Sequence, residues 1–432
     1  MGFVFMLKET KNLLASEWNI SQKLLDLAEK AEIATEKRRT EVRELGAYNQ
    51  LRVLNAFKHN NVSDYHLKNS TGYAFGDEGR ETLDKIYAEV FGTEKALVRA
   101  QFVSGTHALS SALFGILRPN DRWISIVGTP YDTMIPVIKG GDGWYGSLKE
   151  WGIEYDEIPL KEDASFDFEE IEKALKTKKT KMVYIQRSLG YTWRPSMNLE
   201  KMKVAIDFVK NIDPNVIVMV DNCYGEFGEK CEPTAIGADI TGGSLIKNAG
   251  GGISPAGGYV AGKAELIERA ASYLTSPGIG TDEGSALGIG RLMYQGFFEA
   301  PTIVSGAIEG AVWASEMLNS LGFEVLPKPT DKRTDIIQGI KFGDPKIMTA
   351  FCKGIQSASP IDGFAVPEAV DMPGYRDPII MAGGTFVQGS SIELSCDGPL
   401  RPPYSAYLQG GLSFSHIQFG VLKALSEVEK LS

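Results

Sequence analysis

Apolar residues recur at helical spacing near the start of the chain. Between residues 7 and 58 they include Leu13, Leu14, Ile20, Leu24, Leu25 and Leu27. A highly charged run over residues 36–44 follows them. Apolar positions spaced three or four residues apart, next to a charged stretch, are typical of an exposed amphipathic helix. We therefore predict an N-terminal helical arm over residues 1–69.

Between residues 70 and 300, short β-rich runs alternate with amphipathic stretches. The predicted strands cover residues 123–127, 181–186 and 216–220. The predicted helices cover residues 106–117, 167–176 and 199–211. Strands that alternate with helices favour an α/β domain with a mainly parallel sheet. We predict one large domain of this class over residues 70–300.

The last part of the chain shows a different pattern. A helical pattern runs from Pro301 to residue 321, and strand-like segments follow at 336–342 and 391–395. This order predicts a smaller α+β domain over residues 301–432. The chain has 432 residues, of which 43% are hydrophobic. A chain of this length is longer than one hydrophobic core usually serves, which favours two domains.

Charge and cysteine content exclude several classes of partner. The formal net charge of −10 argues against a nucleic-acid or anionic-membrane surface, because both need a basic face. The four cysteines form no CxxC pair, so we expect the protein to have no disulfide frame and no zinc site. No stretch approaches the roughly 20 apolar residues of a membrane span. We expect the cytoplasm as the location.

An apolar run over residues 216–220 ends in Asp221. The carboxyl ends of parallel strands form the binding crevice of α/β sheets, so Asp221 is a candidate site residue. A buried carboxylate there could keep a ring nitrogen of a cofactor protonated. The alternative is a helix-cap or turn aspartate, which is common at such positions.

Lys247 lies in a glycine-rich, otherwise apolar segment, 26 residues after Asp221. Burial destabilises the ammonium form of a lysine, which favours the partly uncharged amine that a Schiff-base lysine needs. An ordinary loop lysine is the alternative. Ser244 precedes Lys247 by three residues, and its hydroxyl is a candidate phosphate contact.

Two further candidates lie upstream. Ser104, Gly105 and Thr106 open an amphipathic helix, so free backbone N–H groups could bind an anion there. Such a turn is also a common helix start. We expect the nearby His107 to be a packed or phosphate-side residue rather than a catalytic base. Tyr131 follows a predicted strand and could stack on a flat ring or act as an acid, or it could be a core tyrosine.

In chain order, the anion turn, the tyrosine, the strand-end aspartate and the glycine-flanked lysine form the set that a pyridoxal 5′-phosphate (PLP) site needs. On these residues the chain resembles the fold-type I PLP enzymes, which share the aspartate aminotransferase fold. The resemblance is closest to the cystathionine β-lyase and methionine γ-lyase branch, and within it to the group called aluminium resistance proteins. It extends over segments 70–83, 90–98 and 184–196.

The resemblance implies a role for each candidate. Lys247 would form the Schiff base with PLP and move protons, Asp221 would face the pyridine nitrogen, and Tyr131 would stack on the ring. The residues implied for the phosphate are Ser104, Gly105, Thr106 and Ser244, together with Tyr73 and Arg80 from a neighbouring subunit of a homotetramer. Arg401 and Arg187 are the candidates for the carboxylate of an amino-acid substrate, because a guanidinium binds carboxylates through two hydrogen bonds.

The chain departs from the branch at four places. Ile246 stands where a threonine usually precedes the lysine, and Thr133 stands where some γ-lyases have a cysteine. Gln186 and Arg187 occupy the region of an asparagine near the cofactor, and Tyr73 lacks an arginine two residues later. The implied activity is a carbon–sulfur lyase acting on a sulfur amino acid, by β- or γ-elimination. The alternatives are an aminotransferase, an aminoacyl-group transferase, or a non-enzymatic metal-stress protein.

Overall fold

The structure is a computed structural model that describes residues 6–74, 76–141, 143–372, 375 and 377–431. Its α-helices are α1 (Lys8–Trp18), α2 (Gln22–His59), α3 (Glu78–Phe91), α4 (Gly105–Ile116), α5 (Met134–Lys139), α6 (Phe168–Thr177), α7 (Leu199–Ile212), α8 (Ala264–Leu274), α9 (Gly290–Ser320), α10 (Pro345–Ser357) and α11 (Phe414–Glu429). Its strands are β1 (Lys95–Arg99), β2 (Arg122–Ser125), β3 (Glu154–Glu157), β4 (Met182–Gln186), β5 (Ile217–Asp221), β6 (Ile240–Ser244), β7 (Gly258–Gly262), β8 (Glu324–Leu326), β9 (Ile337–Lys341), β10 (Ile379–Ala382), β11 (Ser395–Pro399) and β12 (Ser405–Gln409).

Contacts divide the chain into two compact units. The larger unit is Tyr48–Pro301, and the smaller unit joins Met1–Ala47 to Thr302–Ser432. The predicted arm over residues 1–69 is thus divided between the two units after Ala47. The predicted domain boundaries at residues 69 and 300 stay a prediction.

The larger unit contains a seven-stranded sheet in the order β1-β7-β6-β5-β4-β2-β3. Strands β3, β2, β4, β5 and β6 run parallel, and β7 is antiparallel to both of its neighbours. Parallel strands joined by helices are the arrangement that the alternating sequence pattern predicted. The fold class, a mainly parallel α/β sheet with a smaller α+β part, is confirmed.

Both faces of this sheet are covered, because successive residues of the central strands alternate between two cores. In β4, Met182 and Tyr184 enter the core that includes α4 and α8. Val183 and Ile185 enter the other core, which includes α6 and α7. Strands buried on both faces consist of continuous apolar runs rather than alternating apolar and polar residues. This explains why the strands could be predicted from the sequence.

The smaller unit is built on an antiparallel sheet in the order β10-β11-β12-β9-β8. Its core combines α10 and α11 with apolar residues of the N-terminal helices, such as Leu24 and Leu25. The indole Nε1 of Trp313 donates to the carbonyl oxygen of Ala28 at 3.2 Å. These contacts give α1 and the start of α2 a packed apolar side, as their helical spacing predicted.

Two predicted elements differ from the structure. The helix expected to begin at Pro301 starts earlier, as α9, and contains Pro301 inside it. A proline removes one helical hydrogen bond, but buried residues on both sides, such as Phe297 and Val304, keep the helix packed. The strand predicted at 391–395 is wrong, since β11 begins only at Ser395.

No helix within the described part of the chain is both long and apolar enough to cross a membrane.

The packing of α4 against α8 depends on Gly115. A Cβ atom at this position would lie 2.5 Å from the carbonyl oxygen of Arg269 and 2.9 Å from Cα of Ala270. We expect Gly115→Ala to destabilise the larger unit by about 1–3 kcal/mol, because the two backbones must separate. Gly306→Ala is the control: Gly306 has open space around its Cβ position, and alanine favours a helix over glycine. Urea unfolding of both variants measures the difference, and an unchanged midpoint for Gly115→Ala would contradict the packing argument.

Candidate active site

Asp221, Ser244 and Lys247, three of the predicted site residues, lie at the carboxyl edge of the parallel strands in the larger unit. Gln186 and Asp221 end the adjacent strands β4 and β5 and are register partners. Ser244 ends β6, the next strand along the sheet, and Lys247 follows it. The topology therefore assembles on one edge groups that are far apart in the sequence.

The predicted anion turn lies against Ser244. A Cβ on Gly105 would be 3.2 Å from Cβ of Ser244 and 3.3 Å from Sγ of Cys223, so the first turn of α4 packs directly on the end of β6. The hydroxyl of Ser104 caps the helix by accepting a hydrogen bond from the N–H of His107 at 3.1 Å. Backbone N–H groups at a helix N-terminus attract anions, which suits a phosphate.

His107 is packed against its neighbours, which is one of its two predicted roles. Its Nδ1 accepts a hydrogen bond from the N–H of Val103 at 3.2 Å. Burial lowers the pKa of His107, because the protonated ring is poorly solvated there. Its ring also packs edge-on against Phe102, 5.8 Å between centroids. These contacts favour a structural role for His107 over a role as a base.

Tyr131 is placed over the same edge by Gln186. The backbone N–H of Tyr131 donates to Oε1 of Gln186 at 2.6 Å. Its ring is half-buried and lies 5.6 Å from the ring of Tyr191. Gln186, noted in the sequence only as a departure from the branch, is thus the residue that fixes the backbone of the predicted stacking tyrosine.

Asp221 is a buried carboxylate held by neutral donors. Its Oδ1 accepts from the N–H of Cys223 at 3.0 Å, and its Oδ2 accepts from the hydroxyl of Tyr184 at 3.2 Å. Burial raises the pKa of Asp221, while these hydrogen bonds and the charge of Lys247 oppose the rise. A buried carboxylate of this kind is stabilised by any cation placed beside it.

The amine of Lys247 lies over the ring of Tyr224, with Nζ 3.7 Å from the ring centroid. Lys247 is half-buried, as a lysine that reacts with ligands must be. Its charge opposes the rise that burial causes in the pKa values of Asp221 and Cys223, so the amine lies within electrostatic reach of the predicted aspartate. Lys247 and Asp221 therefore belong to one site.

The residues present fit PLP. The glycine at position 105 leaves the start of α4 bare beside Ser244, which suits a phosphate. The carboxylate of Asp221 is buried without a cation in hydrogen-bond contact among the described residues, which suits a protonated ring nitrogen. Lys247 supplies an amine at the same edge of the sheet.

Arg80 is buried and is occupied by backbone carbonyls. Its guanidinium donates to the carbonyl oxygens of Gly72, Gly284 and Asp282 at 3.0, 3.3 and 2.9 Å. These bonds tie the segment before Tyr73 to the loop before α9. Tyr73 itself is 63% exposed. We retain Tyr73 as a proposed phosphate contact of a neighbouring subunit, whereas the contacts of Arg80 favour a role in positioning the Tyr73 segment.

Arg187 is fully buried in a polar cluster behind the site. It donates to Oδ1 of Asn222 at 2.7 Å and to the carbonyl oxygen of Gly225 at 2.9 Å. It also forms ion pairs with Glu229 at 2.7 Å and Glu232 at 3.7 Å. These contacts favour a structural role for Arg187 over the predicted contact with a substrate carboxylate, because releasing a buried arginine from two carboxylates is costly.

Arg401, the other candidate for the substrate carboxylate, lies in the smaller unit between β11 and β12. It forms an ion pair with Asp377 and is 45% exposed. An exposed pair of this kind contributes little free energy and is readily exchanged for another carboxylate. The role of Arg401 stays a prediction.

Three residues of the site were missed in the sequence: Tyr184, Cys223 and Tyr224. Tyr184 sits on β4 and reaches Asp221 across the sheet, which the register of two strands alone determines. Cys223 and Tyr224 stand directly after Asp221, and that adjacency was the available signal. Among the residues that the structure describes, no group of three or more histidine, cysteine, aspartate or glutamate side chains is arranged to hold a metal ion.

Glu226 is a buried carboxyl group behind the site. It accepts a hydrogen bond from the hydroxyl of Tyr259 at 2.8 Å, and burial raises its pKa to about 8. The unfolded chain releases this proton near the ordinary value of 4.5, whereas the folded chain holds it up to about pH 8. The contribution of Glu226 to the free energy of unfolding therefore falls as the pH rises through this window.

We expect Glu226→Gln, which is permanently neutral, to gain stability relative to the parent by about 1 kcal/mol for each pH unit between 5 and 8. Urea unfolding of the cofactor-free chain at several pH values measures this difference. The matched control is Glu162→Gln, since the side chain of Glu162 is exposed in the same unit. A stability difference that does not depend on pH would show that Glu226 is ionised in the folded chain.

Comparison with known proteins places the chain in a family. The family model described as methionine gamma-lyase matches residues 24–429. The uncharacterised protein YnbB of Bacillus subtilis is 50% identical over 390 residues, which is 90% of this chain and 92% of that protein. A crystal structure from Clostridium novyi, described as a carbon-sulfur lyase involved in aluminium resistance, is 50% identical, with a TM-score of 0.93 over 98% of this chain and 99% of that one.

A more distant structure shares the fold alone. The pyridoxal-5′-phosphate dependent protein YhfS of Escherichia coli is 14% identical, with a TM-score of 0.60 over 89% of this chain and 96% of that one. The family model covers nearly the whole chain, including every predicted site residue. The chain therefore belongs to the methionine gamma-lyase family, whose members are carbon–sulfur lyases with the fold of PLP-dependent enzymes.

Proposed function

We propose that this protein binds PLP and cleaves a sulfur amino acid, such as methionine or cystathionine, by α,β- or α,γ-elimination. The observation that carries the proposal is that Lys247, Asp221 and the anion turn of α4 meet at one edge of one sheet. The relative from Clostridium novyi, described as a carbon-sulfur lyase, supports the same reaction class. The net reaction consumes water and gives a thiol or hydrogen sulfide, ammonia and a 2-oxo acid.

When bound, PLP supplies an aldehyde that bonds to amines and a ring that accepts electrons from the α-carbon of the substrate. The start of α4 and the hydroxyl of Ser244 would hold its phosphate, and Asp221 would keep a proton on its ring nitrogen. Lys247 would remove the proton from the α-carbon of the substrate and return it later. The hydroxyl of Tyr131 would protonate the departing sulfur.

Arg401 would hold the substrate carboxylate through its guanidinium. We further propose a homo-oligomer, favouring a tetramer, in which Tyr73 reaches the site of a neighbouring subunit. The proposed location is the cytoplasm.

The direct test is a product assay. The PLP-loaded protein is incubated with methionine, cystathionine, cysteine or homocysteine. The 2-oxo acid, the ammonia and the released sulfur product are measured, which is a thiol from the first two substrates and hydrogen sulfide from the other two. We expect all three products in equal amounts from at least one substrate without any added amino acceptor. A 2-oxo acid that forms only when a second oxo acid is added would instead identify an aminotransferase.

Lys247→Ala removes the proposed reacting amine. We expect it to lose covalent attachment of the cofactor and to lower the rate by about 10²–10⁴-fold or more. Borohydride reduction followed by peptide mass spectrometry locates the attached cofactor. Lys203→Ala is the control, because Lys203 is 54% exposed on α7 and pairs only with Asp207 among its described ion pairs. Cofactor attached covalently to the Lys247→Ala chain would refute the assignment.

Asp221→Asn keeps the shape of the side chain but removes its charge. We expect the cofactor still to attach to Lys247, while kcat falls by about 100-fold or more, because the proton on the ring nitrogen is no longer held. Asp207→Asn is the matched control, with an exposed side chain in the same unit. Parent-like turnover by Asp221→Asn would exclude the proposed role of this carboxylate.

A further inference from the structure

The loop after β5, residues 222–229, carries two residues in a left-handed backbone conformation. Tyr224 has a φ of 74° and Phe227 has a φ of 61°. Residues other than glycine rarely adopt such φ values, and holding the backbone in this conformation costs free energy. Strain of this kind persists only where surrounding contacts fix the backbone. We call residues 222–229 the Asp221 loop.

Three side chains fix the Asp221 loop from outside it. The amide of Asn248 donates to the carbonyl oxygens of Tyr224 and Glu226 at 2.8 and 3.0 Å. The guanidinium of Arg187 donates to the carbonyl oxygen of Gly225 at 2.9 Å. Asn248 directly follows Lys247 in the chain. Its side-chain amide therefore ties the backbone beside the lysine to the loop that faces it.

Asn49 completes this set of contacts. Its amide donates to the carbonyl oxygens of Phe227 and Glu229, each at 3.0 Å. Asn49, Arg187 and Asn248 are all buried. The loop is thus fixed by donors on α2, at the end of β4 and after β6, and its one half-buried, ring-bearing residue is directed at the lysine amine.

We propose that Tyr224 is a positioning residue for Lys247: the face of its ring holds the charged amine in place, and the three clamping side chains keep the ring there. The 3.7 Å distance from Nζ to the ring centroid is within the range of a cation–π contact. The ring attracts the ammonium form and has little interaction with the uncharged amine. Tyr224 therefore sets how much of Lys247 is uncharged, and so reactive, at a given pH.

Charged and titratable groups that interact with Lys247 come from the end of β5 and from the Asp221 loop. Asp221 at the end of β5 and the thiol of Cys223 interact electrostatically with its amine, and Tyr224 contacts it directly. Burial raises the pKa values of both Asp221 and Cys223, so the thiol carries no charge near neutral pH. The ring of Tyr224 and the carboxylate of Asp221 thus act in the same direction on the amine.

The test measures the amine of Lys247 in the cofactor-free chain. The parent and two variants, Tyr224→Leu and Tyr224→Phe, are labelled briefly with acetic anhydride between pH 6 and 11, and acetylation of each lysine is quantified by peptide mass spectrometry. The pH midpoint of labelling reports the charge of the amine, whereas a change in access alters only the plateau. Lys203, exposed on α7, is the internal reference in every sample.

We expect the midpoint for Lys247 to fall by about 0.5–1 pH unit in Tyr224→Leu, because the attraction of the ring for the ammonium is lost. Tyr224→Phe keeps the ring face and should retain the parent midpoint. Asn248→Ala, which removes the donor to the Tyr224 carbonyl, should shift the midpoint in the same direction. Circular dichroism verifies that each variant is folded.

An unchanged or raised midpoint in folded Tyr224→Leu would overturn the proposal, as would a Tyr224→Phe midpoint that moves with that of the leucine variant. The proposal rests on the proposed function only in treating Lys247 as the reacting amine. The labelling uses neither cofactor nor amino acid, so its outcome does not depend on whether the protein has lyase activity. The two proposals can therefore fail separately.

Discussion

The burial of the Asp221 carboxylate at the carboxyl end of β5 is the constraint on which the arrangement of the site depends. A carboxylate removed from water is unfavourable unless donors or cations compensate it, and here the described donors are neutral: the N–H and the thiol of Cys223 and the phenol of Tyr184. Its pKa is raised as a result. A cationic ring nitrogen beside Asp221 would offset this desolvation cost. The burial that disfavours the carboxylate without a cation therefore favours binding of such a cofactor. Stability and ligand preference are therefore two consequences of one placement.

The polar cluster behind the Asp221 loop follows from the same placement. A loop that leaves β5 and turns sharply exposes several backbone carbonyls to the protein interior, and buried carbonyls require donors. Arg187 and Asn248 supply them, and Glu229 and Glu232 balance the charge of the arginine. This explains why an arginine stands at the end of β4 where its side chain has no access to solvent.

The sequence predicted those parts of the site that local pattern determines. The central strands could be located because they are buried on both faces. Asp221 could be selected because it ends an apolar run, and Lys247 because it lies in a glycine-rich, otherwise apolar segment. The contact between Lys247 and Tyr224 could not be predicted, since it requires the left-handed backbone of Tyr224, which only non-local donors impose. The burial of Arg187 was missed for a similar reason: its partners are separated from it by about one helix and one strand.

The departures from the branch gain a physical meaning from these contacts. Thr133 stands where some γ-lyases have a cysteine, and its hydroxyl lies 2.8 Å from the hydroxyl of Thr106 in the anion turn. This residue is therefore tied to the turn that would hold the phosphate, and its hydroxyl is already engaged there. Tyr131, two residues before Thr133, is fixed by Gln186 through its backbone N–H, and its ring lies 5.6 Å from the ring of Tyr191. The position where some γ-lyases have a cysteine thus serves in this chain to anchor the anion turn.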